Sequence, residues 1–202
     1  MNNDFFIVGI GASAGGEACL YDFFSNMPLN VNASFIVIRH LKRDFQSQMK
    51  FLLSRHTQLP IYTIRNGEEI KPHAIYLMPE NTTTRVKDNH LILKGRPAHD
   101  NVNHAIDEFL VSLAHEVKEK AIGIILSGMG TDGTNGANAI EEHGGIVMVQ
   151  DPKSAKFDSM PNSVIANDFP DYILPARAMG RHLVEYIKSR EENLRKVSDL
   201  GI

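Results

Sequence analysis

The chain has 202 residues, 21 of them Lys or Arg and 24 Asp or Glu, for a formal net charge of −3. That length fits one domain, falls short of two full-sized ones and buries a core without staples, and at 43% hydrophobic and 22% charged the composition is globular rather than disordered. The mild acidity, with no basic cluster longer than Lys42-Arg43, argues against a general nucleic-acid binder; the lone Cys19 excludes an internal disulfide and a cysteine-rich zinc site; and with no charged-then-apolar leader and no apolar run near ~18 residues, the expectation is a soluble cytoplasmic protein without membrane insertion.

Phe5 to Ile10 is a short apolar run ending in glycines, the pattern of a fully buried parallel strand. Gly11-Ala12-Ser13-Ala14-Gly15-Gly16 follows, then a helical pattern through Leu20, Phe23 and Phe24 to Met27, which Pro28 stops. Ala33 to Ile38 is a second buried strand, and about Arg43 to His56 reads as a helix with Phe45, Met49, Leu52 and Leu53 on one face. Residues 61–95 then change character. Ile61–Ile64, Ala74–Leu77, Thr83–Val86 and Leu91–Leu93 are short β-like runs with turn signals at Asn66-Gly67 and Asp88-Asn89, which predicts an antiparallel insertion or edge. The βα rhythm resumes with a helix over Asn103–Lys118, a buried strand over Ala121–Leu126, the turn Gly128-Met129-Gly130-Thr131-Asp132-Gly133, a helix to about His143, and a strand over Ile146–Val149. Pro175 precedes a last helix that becomes highly charged after Lys188, and residues 191–202 read as a linker stub or a frayed tail. The predicted fold class is α/β, a doubly wound, mostly parallel sheet with a short antiparallel insertion and no internal repeat.

In an open parallel sheet, ligands and chemistry collect at the carboxyl ends of the strands. The polar residues just past three such ends are Ser13, Arg39-His40 and Asp132. A serine hydroxyl becomes a nucleophile when a base takes its proton. Histidine is that base near neutral pH, and an acid on its other ring nitrogen fixes the tautomer and stabilises the imidazolium. Gly11-x-Ser13-x-Gly15 has the nucleophile-elbow pattern, in which a tight strand-to-helix turn lifts Oγ above the sheet and leaves backbone N–H groups for an oxyanion. The order Ser, His, Asp differs from the Ser, acid, His order of α/β-hydrolases, so the elbow does not imply that fold.

Two other readings share these residues. Gly9-x-Gly11-x-x-x-Gly15 and Gly128-x-Gly130-x-x-Gly133 resemble dinucleotide loops. Against that, the second strand ends in Arg39-His40 rather than an acid for an NAD ribose, although Arg39 suits a 2′-phosphate, and the second turn lies late in the chain. The third reading is structural: a serine as N-cap, a hydrogen-bonded spectator histidine, an aspartate as turn residue.

The segments Ile7–Gly16, Val37–Leu41 followed by Phe45, and Ile124–Thr134 together resemble the catalytic domain of the chemotaxis protein-glutamate methylesterase, the CheB family. Phe109–Ala114 and Gln150-Asp151-Pro152, continuing to Met160-Pro161 and Ile165-Ala166, fit as well. The resemblance runs from about residue 5 to 180, and around 109–166 it is nearest to the version found in esterase–methyltransferase hybrid proteins. It implies a catalytic domain over 1–180, with a C-terminal helix and charged tail over 181–202. It implies Ser13 as nucleophile, His40 as base and Asp132 as acid. The backbone N–H of Met129 stands near the oxyanion by resemblance; that of Ala14 is a candidate from elbow geometry.

The implied reaction is hydrolysis of glutamate γ-methyl esters on chemoreceptor helices with release of methanol, some members also deamidating receptor glutamines. It calls for no metal and no cofactor, and the implied partners are methylated chemoreceptor helices or a related signalling protein. Arg43, Gln46, Lys50 and Phe157–Met160 are candidate groove residues. Arg39 and Lys42 are candidates to attract an acidic helix, with solvated charges as the alternative. The chain departs from the family pattern at Ala14, where Thr is usual, at Arg39-His40-Leu41-Lys42 for Gln-His-Met-Pro, and at Met78-Pro79-Glu80 for Ala-Pro-Gly. Cys19 reads as buried filler, His99, His104 and His115 share no good metal-site spacing, with a site from mixed segments left open, and Glu141-Glu142 reads as solvated. The alternative function is a catalytically weak or inactive binding module of the same fold. The family's common form carries an N-terminal phospho-receiver and linker. Since the first strand begins at about Asp4, the expectation is the esterase domain alone, either a stand-alone protein or a piece of a larger one; if it stands alone, aspartyl-phosphate donors are not expected to change its activity.

Overall fold

The computed structural model describes residues 4–40, 48–96, 104–167 and 170–199. Seven strands form one sheet: β1 (Phe6–Ala12), β2 (Ala33–Arg39), β3 (Ile61–Thr63), β5 (Ala74–Leu77), β8 (Ala121–Ile125), β9 (Ile146–Gln150) and β10 (Tyr172–Leu174). Their order is β10-β9-β8-β1-β2-β5-β3, and every neighbouring pair is parallel. From β1 the chain builds outward through β2 to β5 and β3, then returns to the other side of β1 with β8, β9 and β10. The direction of winding therefore reverses between β1 and β8, and the crevice at such a reversal is where α/β sheets place their sites.

Both faces of the sheet are covered, which is why β1, β2, β8 and β9 read as unbroken apolar runs. On one face α1 (Gly16–Phe24) and α6 (Ala176–Asp199) pack Leu20, Phe23, Phe24, Met179, Leu183 and Ile187 onto Phe6, Val8, Ile10 and Phe35. On the other, α3 (Ala105–Val117), α4 (Thr134–Glu142) and α5 (Ser159–Asn167) bring Ile106, Phe109, Leu110, Ile140 and Val164 onto Ile7, Ile36, Ile38 and Ile125. Gly9 and Gly11 lie inside β1, where an added Cβ would strike Leu110 and Ile106. These glycines admit α3 to the sheet rather than forming a nucleotide turn.

Ile61–Ile64 and Ala74–Leu77 differ from the sequence reading. They are not part of an antiparallel insertion. β5 pairs in parallel with both β2 and β3, Phe35 opposite Ile75 and Tyr62 opposite Tyr76. The antiparallel element is only β4 (Glu68–Glu69), β6 (Thr82–Lys87) and β7 (His90–Gly95), ordered β4-β7-β6. The Asp88-Asn89 turn between β6 and β7 has positive φ at both residues, as a tight hairpin requires. Of the predicted helix over 43–56, the part up to residue 47 lies outside the described residues; α2 covers Met49–Leu53. No helix among the described residues is long and apolar enough to cross a membrane.

α6 is seated by Gly180, where an added Cβ would run into the backbone carbonyl of Phe23. In an exposed helix Gly→Ala stabilises by about 1 kcal/mol. Here Gly180→Ala is expected to destabilise by about 1–3 kcal/mol instead, because backbone does not yield as a side chain does. A calorimetric melt should show the midpoint falling by at least about 2 °C; a rise would mean that α1 and α6 are not held this closely.

Candidate active site

β1 ends at Ala12, and Ser13 begins the turn into α1. The Ser13 N–H donates to Ser127 O at 3.0 Å, and its carbonyl accepts Gly16 N–H at 3.0 Å. Gly15 takes φ +74°, and a Cβ there would also meet the Lys156 Cβ at 2.8 Å. The elbow thus needs glycine for both conformation and space. Ala12 is the register partner of Arg39, and His40 N–H donates to Ala12 O at 3.3 Å. Ser13 and His40 are therefore the first residues beyond one register pair of adjacent strands. That is how residues 27 positions apart are brought side by side.

Asp132 arrives from the turn between β8 and α4, and is buried. Its Oδ2 lies 2.6 Å from His40 Nε2, so Nε2–H donates to the carboxylate and Nδ1 keeps the ring's lone pair. The same Oδ2 accepts Ile106 N–H at 2.9 Å, and Oδ1 accepts Asp107 N–H at 2.9 Å. These are first-turn donors of α3, so Asp132 also caps that helix, whose N-terminal dipole favours its negative charge. Among the described residues Ser13 Oγ makes no hydrogen bond.

Asp107 returns the arrangement from the first turn of α3. Its Oδ1 accepts Gly133 N–H and Gly136 N–H, each at 2.9 Å, and its Oδ2 accepts Asn135 Nδ2–H at 3.3 Å. Burial pushes the Asp107 carboxyl above the ordinary aspartate range; the nearby Asp132 carboxylate adds to this, while the Gly136 and Gly133 N–H groups oppose it. His104, Asp107 and Asp132 each bring one potential ligand atom within 4.8 Å of the others. The two carboxylates, however, spend their oxygens on N–H donors from both helices and on His40, which is capping geometry rather than a metal cage.

Ser127, fully buried, fastens the other side. Its Oγ lies 2.9 Å from Ala14 O and 3.2 Å from Phe157 O as possible acceptors, and accepts Phe157 N–H at 3.0 Å. Its own N–H donates to Gln150 Oε1 at 2.8 Å. The adjoining Gly128 has no room for a side chain, since a Cβ would strike the Met160 sulfur and approach the Ser13 Cβ. The N–H groups of Gly128 and Gly130 are taken up by Phe157 O and Ser159 Oγ. Among the described residues, those of Met129 and Ala14 are donated to no acceptor. Met129 is 60% exposed and Phe157 36%, so two apolar side chains stand at the rim on the α5 side.

Several other expectations can be placed. Arg39 is not a solvated charge. Its side chain is 14% exposed and pairs with Glu17 at 3.4 Å, and Glu17 also accepts Tyr21 O–H at 2.6 Å. Cys19 is buried in α1, where desolvation pushes its thiol up. Lys50 follows Met49 in α2 and is exposed, as are Glu141 and Glu142 at the end of α4. His115 and His143 meet edge to face at 4.5 Å. Lys42, Arg43, Phe45, Gln46 and His99 lie outside the described residues. Sequence reasoning missed Asp107 and Ser127. An acid in the first turn of a helix, and a serine just before the second glycine turn, were the available signals.

The profile of the CheB methylesterase family matches residues 8–183. The chain is 33% identical over 185 residues to a protein-glutamate methylesterase/protein-glutamine glutaminase of Thermotoga maritima, covering 90% of this chain and 54% of that protein. A protein of the same description from Pseudomonas syringae is 32% identical over 180 residues, with 89% and 54% covered. The chain thus spans about half the length of these curated relatives. The crystal structure of the Thermotoga maritima CheB methylesterase catalytic domain superposes with a TM-score of 0.82 at 31% identity, covering 91% of this chain and 100% of that one.

Proposed function

Because this chain belongs to the CheB methylesterase family, we propose that it is a serine hydrolase that demethylates glutamate γ-methyl esters on chemoreceptor helices. The observation that carries the reading is the 2.6 Å bond between His40 Nε2 and Asp132 Oδ2, formed where the sheet reverses its winding and one register step from Ser13. With Nε2–H committed to Asp132, His40 Nδ1 accepts the Ser13 proton as Oγ attacks the ester carbonyl. The N–H groups of Ala14 and Met129 take the oxyanion. Imidazolium gives its proton to the departing methoxide, so methanol leaves. Water then attacks the acyl-serine by the same path, regenerating Ser13 and freeing the glutamate. A glutamine side chain follows the same course with ammonia as leaving group, which matches the glutaminase activity named for the relatives. Met129 and Phe157 supply apolar contact for the aliphatic stem of the substrate side chain.

The test is labelling with a fluorophosphonate followed by peptide mapping. The expected result is a single adduct on Ser13, formed more slowly in His40→Ala. A protein that stays unlabelled at Ser13 has no activated serine, and the hydrolase reading falls.

A further inference from the structure

We propose that Asp107 is a positioning residue for the His40–Asp132 pair, holding the catalytic acid in place from both sides. The inference rests on the reading of Asp132 as that acid. Asp107 meets Asp132 through its backbone and the peptide after Asp132 through its side chain. Its backbone N–H donates to Asp132 Oδ1 at 2.9 Å, which sets the rotation of the Asp132 carboxylate. Its own carboxylate accepts Gly133 N–H, the peptide that directly follows Asp132, and Gly136 N–H one turn into α4. Each aspartate therefore caps the helix that carries or follows the other, and α3 and α4 are cross-tied at their N-termini.

The consequence lies at Oδ2 of Asp132, which serves both Ile106 N–H and His40 Nε2. An oxygen shared in this way aims correctly at the imidazole only while the carboxylate plane is fixed. With the Asp107 carboxylate gone, the Gly133 peptide loses its acceptor and the Asp132 backbone is free to turn, while the α3 donors still pull on the carboxylate. The groups facing the Asp107 carboxylate are Asp132, the Asn135 amide and His104, whose Nδ1 lies 3.9 Å away. An asparagine at 107 keeps an oxygen for the two glycine N–H groups. Its NH2 has the Asn135 amide, turned to present oxygen, and Asp132 as acceptors.

Two variants and two readouts test this. Asp107→Ala is expected to lower kcat for methyl-ester hydrolysis by roughly tenfold to a hundredfold with KM nearly unchanged, the size of effect expected when a catalytic group is displaced by an ångström or less. It should also move or broaden the downfield NMR resonance of the His40 Nε2 proton, which reports its bond to Asp132 whether or not the protein turns over. Asp107→Asn is expected to recover most of the kcat loss and to return the resonance. If Asp107→Ala melts at a lower temperature but keeps the wild-type kcat and His40 resonance, the residue is only a helix cap and the proposal falls. It also falls if Asn is as damaging as Ala, since charge rather than geometry would then be responsible. A wild-type protein without Ser13-dependent hydrolysis would overturn the esterase reading, and the resonance would still decide the role of Asp107.

Discussion

Ser13→Ala is expected to reduce methanol release from methylated receptor by about 10⁴- to 10⁶-fold, the range seen when a triad nucleophile is removed. At 1.36 kcal/mol per factor of ten, that is a barrier increase of about 5–8 kcal/mol. The protein should remain folded. Both backbone hydrogen bonds of Ser13, to Ser127 O and from Gly16 N–H, survive the change, and Ala fits wherever the serine Cβ does. The stability change should therefore stay within about 0.5 kcal/mol. Because fold and surface are kept, the variant separates catalysis from docking. It should still bind a methylated receptor helix, and with slowed turnover it should hold it longer. Methanol release at the wild-type rate from Ser13→Ala would sink the nucleophile assignment; full biological activity of the variant without methanol release would favour the binding-module alternative.

Changing Asp132 should affect both activity and stability. Asp132→Ala takes the acceptor from His40 and leaves Ile106 N–H and Asp107 N–H, both buried, without a partner. A lost cap costs about 1–2 kcal/mol and an orphaned buried donor about 1–3 kcal/mol. A total near 2–4 kcal/mol is expected, together with a kcat loss of about 10⁴-fold. Asp132→Asn isolates the tautomer. If its amide NH2 turns to His40, Nε2 must accept, the ring proton moves to Nδ1, and the nitrogen facing Ser13 has no lone pair to take a proton. If the amide turns the other way, its oxygen still serves His40 and Ile106 N–H, NH2 meets only Asp107 N–H, and the imidazolium has a neutral acceptor in place of a carboxylate. The first orientation loses the tautomer and the second the charge, so Asn should lose much of the activity in either while destabilising less than Ala. Denaturant melts and kcat measured side by side decide the point. An Asn variant with wild-type activity would mean that His40 does not depend on the negative charge of Asp132.

The central strands and the three principal side chains were legible in the sequence, for a definite reason. β1, β2, β8 and β9 are buried on both faces, so they read as continuous apolar runs whose ends are easy to find. A parallel sheet delivers those ends to one edge, so Ser13, His40 and Asp132 stand out as the polar residues just past them. Burial and strand direction are properties of single segments, and composition records them.

Pairing is not. Nothing local in Ile61–Thr63 or Ala74–Leu77 says that β5 enters between β2 and β3 in parallel, because three- and four-residue runs look alike in either orientation. Tyr172–Leu174 is too short, between Asp171 and Pro175, to announce an edge strand, and α5 carries too weak an apolar stripe to be distinguished from loop. The site's supporting contacts are of the same kind. The cross-capping of Asp107 and Asp132 needs the N-termini of α3 and α4 to meet across 25 residues of chain. The neutralisation of Arg39 needs Glu17 of α1 to lie beside the end of β2. The hold of Ser127 on Ala14 and Phe157 spans 113 and 30 residues. Each depends on distances between elements, which side-chain type and spacing do not encode. The sequence alone thus determined the sheet's central strands and the polar side chains just past their ends. Only the tertiary structure decided which strands pair at its margins, and which neighbours hold those side chains in place.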